Sequence, residues 1–134
     1  MAIQYSLTHR TNAMSTLNTD IGASAVIKLF SGAAPANCGT ADTGTLLVQF
    51  AGNAGGFGTA TSQVLTASAV SSVTATASGT PGYFRIYPTS ATTTNAVVQG
   101  TVGTSATDMI LTAATVTAGQ TVNFTSLTVT AFGV

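Results

Sequence analysis

From Ser24 onward the chain is a succession of short β-prone runs with no helical pattern between them. The runs are Ala25–Phe30, Thr45–Phe50, Gln63–Ala67, Ser72–Ala77, Tyr83–Tyr87, Asn95–Val102, Asp108–Thr112, Ala114–Ala118 and Thr121–Phe132. Turn-forming stretches divide them: Ser31-Gly32 and the loop Ala33–Gly44, Gly52–Gly58, Gly79-Thr-Pro-Gly82, Pro88, Gly103 and Ala118-Gly-Gln120. Short strands recurring every ~8–12 residues without crossover helices argue against a parallel α/β sheet. The expected fold class is all-β, an antiparallel β-sandwich of jelly-roll or immunoglobulin-like type, with one N-terminal α-helix. Threonine supplies 27 of the 134 residues, and β-branched side chains favour strands.

The expected helix runs from Ser6 to Ile21. Leu7, Met14, Leu17 and Ile21 form one apolar stripe at helical spacing. Ser6 or Thr8 can cap its start, and Gly22 stands where a helix-ending glycine belongs. The chain therefore divides into an arm and helix, residues 1–22, and a β-sandwich domain, residues 23–134. Ile3, Tyr5 and Leu7 alternate like a strand ahead of the helix. Met1 to Ser6 is expected to leave the domain as an arm that adds to a neighbour as an edge strand. The alternative is that Ile3 to Leu7 pairs within its own sheet.

The last run contradicts itself. Val122 and Phe124 are apolar at even positions, but Leu127, Val129 and Ala131 are apolar at odd ones. A strict period of two cannot bury both sets on one face. A bulge or bend near Thr125-Ser126, where the strand changes sheets, would reconcile them.

Charge is nearly absent. Arg10, Lys28 and Arg85 face Asp20, Asp42 and Asp108, there is no glutamate, and the net charge is zero. Ordinary soluble domains are about 25 % charged, and uncharged surfaces tend to associate. Such a surface suits a subunit bound to copies of itself or to a larger lattice. Three dispersed cations make no phosphate-binding patch and no polybasic site for anionic lipid. The expected partners therefore include neither nucleic acid nor membrane. No secretory signal is expected from the N-terminus, and no apolar run approaches the ~20 residues of a membrane span.

Few residues offer chemistry. His9 is the only histidine, on the polar side of the helix, and Cys38 is the only cysteine, read as an inert thiol in a turn. Asp20, Asp42 and Asp108 are isolated in sequence, and no zinc or calcium motif appears. Gly52-Asn-Ala-Gly-Gly-Phe-Gly58 lacks the Lys-Ser/Thr of a phosphate loop. Asn123-Phe-Thr125 matches a glycosylation sequon by coincidence. No catalytic residue, cofactor or metal is expected. One stripe stands out. Tyr83, Arg85 and Tyr87 share a strand face, opposite Phe84 and Ile86, and are of types enriched at protein interfaces. The competing reading is an outer sheet face covered by the helix, or simply exposed.

Ile27-Lys-Leu-Phe-Ser-Gly-Ala-Ala-Pro-Ala36 leads into Thr43-Gly-Thr-Leu-Leu47, and Gly79-Thr-Pro-Gly-Tyr-Phe-Arg-Ile86 follows. Val98-Gln-Gly-Thr-Val-Gly-Thr104, Asp108-Met-Ile-Leu111 and Ala118-Gly-Gln-Thr-Val122 come next in order, and Asn12-Ala-Met14 lies in the amphipathic segment ahead of them all. Together these segments resemble a family of small virion proteins encoded among the head genes of tailed bacteriophages. The resemblance implies a structural subunit without enzymatic activity, a decoration or cement protein on the capsid exterior, made in the host bacterial cytoplasm. Its implied partners are the major capsid protein and, as a dimer or trimer, further copies of itself. Tyr87 to Asn95 departs from the family as a longer neutral loop.

The expected contact residues are Ile3, Tyr5, Leu7, Tyr83, Arg85, Tyr87, Thr92, Thr93 and Asn95. A rival expectation is a receptor- or glycan-binding module of a tail or head fibre, using Tyr83, Tyr87 and Thr92 to Asn95. A wall hydrolase using His9 and Asp108 is a distant third.

Overall fold

The computed structural model describes residues 3–51, 57, 59–67, 72–89 and 94–131. Helix α1 spans Leu7–Ile21, and its N-cap is Ser6, whose hydroxyl accepts from the His9 N–H. Gly22 ends it, donating its N–H to the Asn18 carbonyl at 3.0 Å. Met14 and Ile21 are buried and Leu17 packs beside them, so three of the four stripe residues seat the helix on the core. Leu7 does not join them and is exposed.

The strands are β1 (Val26–Ser31), β2 (Leu46–Ala51), β3 (Val64–Thr66), β4 (Val73–Thr74), β5 (Pro81–Tyr87), β6 (Val98–Gly103), β7 (Met109–Leu111), β8 (Thr121–Val122) and β9 (Phe124–Thr130). Seven of them form one curled sheet in the order β2-β1-β5-β6-β7-β9-β3, and β4 and β8 pair separately. The mostly-β expectation therefore holds, but the sheet is mixed and not antiparallel throughout. β6 and β7 run parallel, Val102 opposite Met109 and Gly103 opposite Ile110. Parallel neighbours usually need a crossover of a dozen or more residues. Here residues 104–108 bend back directly, and the Asp108 carboxylate fixes the bend by accepting from the Thr101 N–H and hydroxyl, both at 2.8 Å.

The curl closes around an apolar core. Thr76 N–H donates to the Leu47 carbonyl at 2.9 Å, laying the segment after β4 along the outer edge of β2. Ile27, Leu29, Val48, Phe50, Phe84, Ile86, Met109 and Leu127 meet inside, with Met14 and Ile21 from the helix. Gly100 permits this packing, because a Cβ there would lie 2.7 Å from the Phe84 ring and 2.9 Å from Asp108.

Two sequence expectations change in detail. Ala114–Ala118 forms no strand; only Val116 bridges, to Gly79. Gly79–Gly82 is not a free turn, because β5 already begins at Pro81. The expected break in the final run does occur. Thr121-Val122 pairs with β4, and after Asn123 the chain joins the large sheet, so the sheet change falls there. Against β7, Ile110 faces Ser126 and Leu111 faces Phe124, which leaves Thr125 as the extra residue of a bulge. Leu127 and Ala131 are buried beyond it.

Candidate functional site

The alternation of β5 puts Phe84 and Ile86 into the core and Tyr83, Arg85 and Tyr87 on the opposite face. That opposite face is not outside. All three side chains are fully buried, Arg85 at 0 % exposure. What covers them is the loop after β1, residues 32–45, and not the helix. The surface-anchor reading of Tyr83, Arg85 and Tyr87 is thus corrected: within this chain they hold a loop.

Sheet register sets the arrangement. Arg85 lies between Lys28 on β1 and Gln99 on β6, and Lys28 is opposite Gln49 on β2. A polar row therefore crosses the sheet. Directly opposed cations destabilise a sheet, and each finds a separate answer here. Lys28, 4 % exposed, sits with Nζ 4.8 Å above the Tyr87 ring, a favourable cation–π geometry. Arg85 pairs with Asp42 at 3.1 Å, and Asp42 reaches in from the loop.

Arg85 uses its planar fork fully. Nη1 donates to the Thr40 carbonyl at 2.7 Å and to Tyr87 Oη at 3.2 Å, and Nη2 donates to the Asn37 carbonyl at 2.9 Å. Nε and Nη2 both donate to Gln99 Oε1, at 3.2 and 2.9 Å. The Gln99 amide then donates to the Pro35 carbonyl. The Tyr87 hydroxyl donates to the Asp42 carboxylate. At the far end, Tyr83 stacks on Phe30 at 5.1 Å, accepts from the Thr43 N–H at 2.9 Å and donates to the Thr43 carbonyl. The bonds to Pro35, Asn37, Thr40 and Thr43 satisfy loop backbone groups that burial would otherwise leave costly.

The loop organises itself to meet these donors. Asn37 Oδ1 accepts from the N–H groups of Gly39 and Thr40 and from the Thr40 hydroxyl, forming an Asx turn. That turn presents the Asn37 and Thr40 carbonyls to one guanidinium. Cys38 packs against Val26, Tyr87 and Ala96, and its carbonyl accepts from Ala96. Where the loop leaves β1 it crosses β5 so closely that a Cβ on Gly82 would lie 1.9 Å from the Gly32 carbonyl oxygen. Only glycine fits there.

Electrostatics follow from this enclosure. Desolvation pushes the Tyr87 phenol up to about 12, assisted by its hydrogen bond to Asp42 and opposed by Arg85. Desolvation pulls the Arg85 guanidinium down, but Tyr87 and Asp42 outweigh it and the net shift is upward. The cluster is a pair of charges locked between the sheet and the loop.

The remaining expected contact residues divide. Ile3, Tyr5 and Leu7 are exposed at 80, 40 and 51 %. Residues 3–6 lie in no strand and the helix starts at Leu7, so pairing of Ile3–Leu7 within its own sheet is overturned. Tyr5 stacks on His9 at 5.3 Å. Asn95 is exposed, at the left-handed φ of 58°. Thr92 and Thr93 fall outside the described residues, as does most of Gly52–Gly58; Phe57 of that stretch is buried and bridges to Ala67. Sequence reasoning missed Asp42, Asn37 and Gln99 as partners of the stripe. The available signal was Lys28 and Arg85 set mid-strand among apolar residues in a chain with one other cation.

An opening lies beside this cluster. A cavity of about 160 Å³ lies between β6 and β9, lined by Phe84, Val98, Gln99, Asp108, Thr128, Val129 and Thr130. It shares Val98, Gln99, Val129 and Thr130 with a groove of about 440 Å³ under α1, whose lining also includes Met14, Leu17, Cys38 and Val97. Among the described residues no three of His, Cys, Asp or Glu are grouped to hold a metal ion. Compared with protein-family models, with curated proteins and with solved structures, the chain matches none.

Proposed function

We propose that this chain is a non-enzymatic structural subunit of a virion, a decoration or cement protein on the outer surface of a tailed-phage head. It clamps neighbouring major capsid subunits and sits there as a dimer or trimer. In this reading the curled sheet and the β4–β8 pair are the two walls of one flattened sandwich.

The observation that carries the reading is where the charges sit. Six are few, and the fold withdraws three of them: Lys28 and Arg85 are buried and Asp42 is tied to Arg85. Asp20, Asp108 and the half-buried Arg10 are left to serve a surface of 6824 Å². Such a surface discourages neither self-contact nor contact with a lattice. It offers hydroxyls, backbone edges and an apolar arm. Weak contacts of that kind suffice when many copies engage one shell. The family resemblance of the sequence supplies the phage-head setting.

The fibre-module alternative loses its binding face, since Tyr83 and Tyr87 are buried. Particles assembled without this chain test the proposal. They should rupture at lower temperature and lower salt than complete particles and regain stability when the chain is added back. Equal stability of the two would overturn cementing. A copy number of a few dozen or fewer per particle would move the chain to the tail.

A further inference from the structure

We propose that the slot between β6 and β9 is an acceptor for the N-terminal arm of a second copy of this chain. The slot is a missing piece of strand. β7 is three residues long and separates β6 from β9 only at Val102–Gly103 and Phe124–Leu127. Strands two places apart in a sheet stand about 9.5 Å apart. Beyond Asp108 no described strand lies between Val98–Gln99 and Thr128–Thr130, and those residues line the cavity of about 160 Å³.

Its walls are backbone edges. Thr101 N–H points away from β5, because it donates to Asp108; by alternation the Gln99 amide points the same way. On β9, Ala131 N–H and the Leu127 carbonyl are engaged on the β3 side. The backbone groups of Thr128 and Thr130 therefore face the slot. Two facing edges one strand apart select an extended peptide over a helix or a small molecule. Phe84, Val98 and Val129 give the slot an apolar lining, and Asp108, its only charge, is already held by Thr101.

The arm has the matching character. Ile3-Gln-Tyr-Ser6 is uncharged, outside regular structure and exposed, with Ile3 at 80 % and Ser6 in an extended conformation. Four residues of strand span about 13 Å, the length of the three- to four-residue gap. Chain length favours a second copy over the arm's own slot. The helix begins to line the groove only at Ala13, six residues past Leu7 and so about 9 Å along the axis. An arm folding back would spend most of its reach in returning and would break the Ser6 cap. A partner's arm has neither constraint. The inference is independent of the shell assignment, because copies should link in solution with no shell present.

The test is complementation between two variants of the full chain, followed by sedimentation velocity. Ile3→Asp disables the arm, and Thr130→Trp, at an exposed position on the slot rim, blocks the acceptor. Wild type should associate reversibly, and each variant alone should associate about 30-fold more weakly or less, as for loss of an interface anchor. An equimolar mixture should form a one-to-one complex through the one arm and one slot left intact. If Thr130→Trp melts early, Thr128→Trp replaces it. A monomeric wild type, undiminished association of Ile3→Asp, or no complex in the mixture would each overturn the proposal. None of these results bears on particle stability, so failure here and failure of the cement role remain distinguishable.

Discussion

The loop 32–45 and the arm 3–6 are both partly apolar segments outside regular structure, the arm uncharged and the loop carrying one charge, Asp42. Their fates differ because of what faces them. The loop meets a guanidinium and the Tyr83 phenol, which bind its backbone at Asn37, Thr40 and Thr43, and the Tyr87 phenol, which binds the Asp42 carboxylate. The arm leaves Ile3 and Leu7 to solvent. In a chain with so few charges, one buried arginine decides which irregular segment becomes part of the domain. The segment it does not reach stays available to another molecule.

Removing that arginine should break the comparison most strongly. Arg85→Ala strands the Asp42 carboxylate and two loop carbonyls, a loss of about 3–5 kcal/mol for a broken buried pair. Chemical denaturation should show it, and limited proteolysis should then cut between Ala33 and Gly44. Tyr87→Phe is smaller. It deletes one hydroxyl bonded to Asp42 and Arg85, worth about 1–2 kcal/mol.

The same hydroxyl predicts a pH dependence. Folding pushes the phenol from 10.0 up to about 12, so the folded state favours the protonated form. Its contribution is complete below pH 10 and is lost as pH rises through about 12. Denaturation midpoints should fall over that window in wild type and fall less in Tyr87→Phe.

At the other end of the scale lies the arm. Ser6→Ala removes the helix cap and should cost about 1 kcal/mol. Ile3→Ser, three residues earlier, should change stability by no more than about 0.5 kcal/mol while weakening association. The domain boundary would then be read between those positions by melting and sedimentation together.

Much of this was legible in residues. The helix, its caps and three of the four stripe residues, Met14, Leu17 and Ile21, followed from spacing, whereas Leu7 stayed exposed. The parity conflict of Val122 and Phe124 with Leu127 and Val129 announced the bulge at Thr125. What periodicity could not supply was the second covering layer. Alternation along Tyr83-Phe-Arg-Ile-Tyr87 separates two faces but does not say that both are covered. A turn- and loop-forming stretch such as Ala33–Gly44 carries no sign that it will fold onto a sheet. The partners Asn37, Asp42 and Gln99 are 48, 43 and 14 residues from Arg85, and only register brings them together. The parallel β6–β7 pair was equally hidden, because so short a connection ordinarily signals a hairpin.

Amide hydrogen exchange on the intact chain, at dilute and at associating concentrations, tests the contrast between loop and arm most directly. The Thr40 and Thr43 amides, bonded to Asn37 Oδ1 and to the Tyr83 hydroxyl, should exchange slowly at both concentrations. The Gln4 and Ser6 amides should exchange fast in dilute protein and slow down on association. A loop that exchanges as fast as the arm in dilute protein, or an arm unchanged by association, would contradict the account.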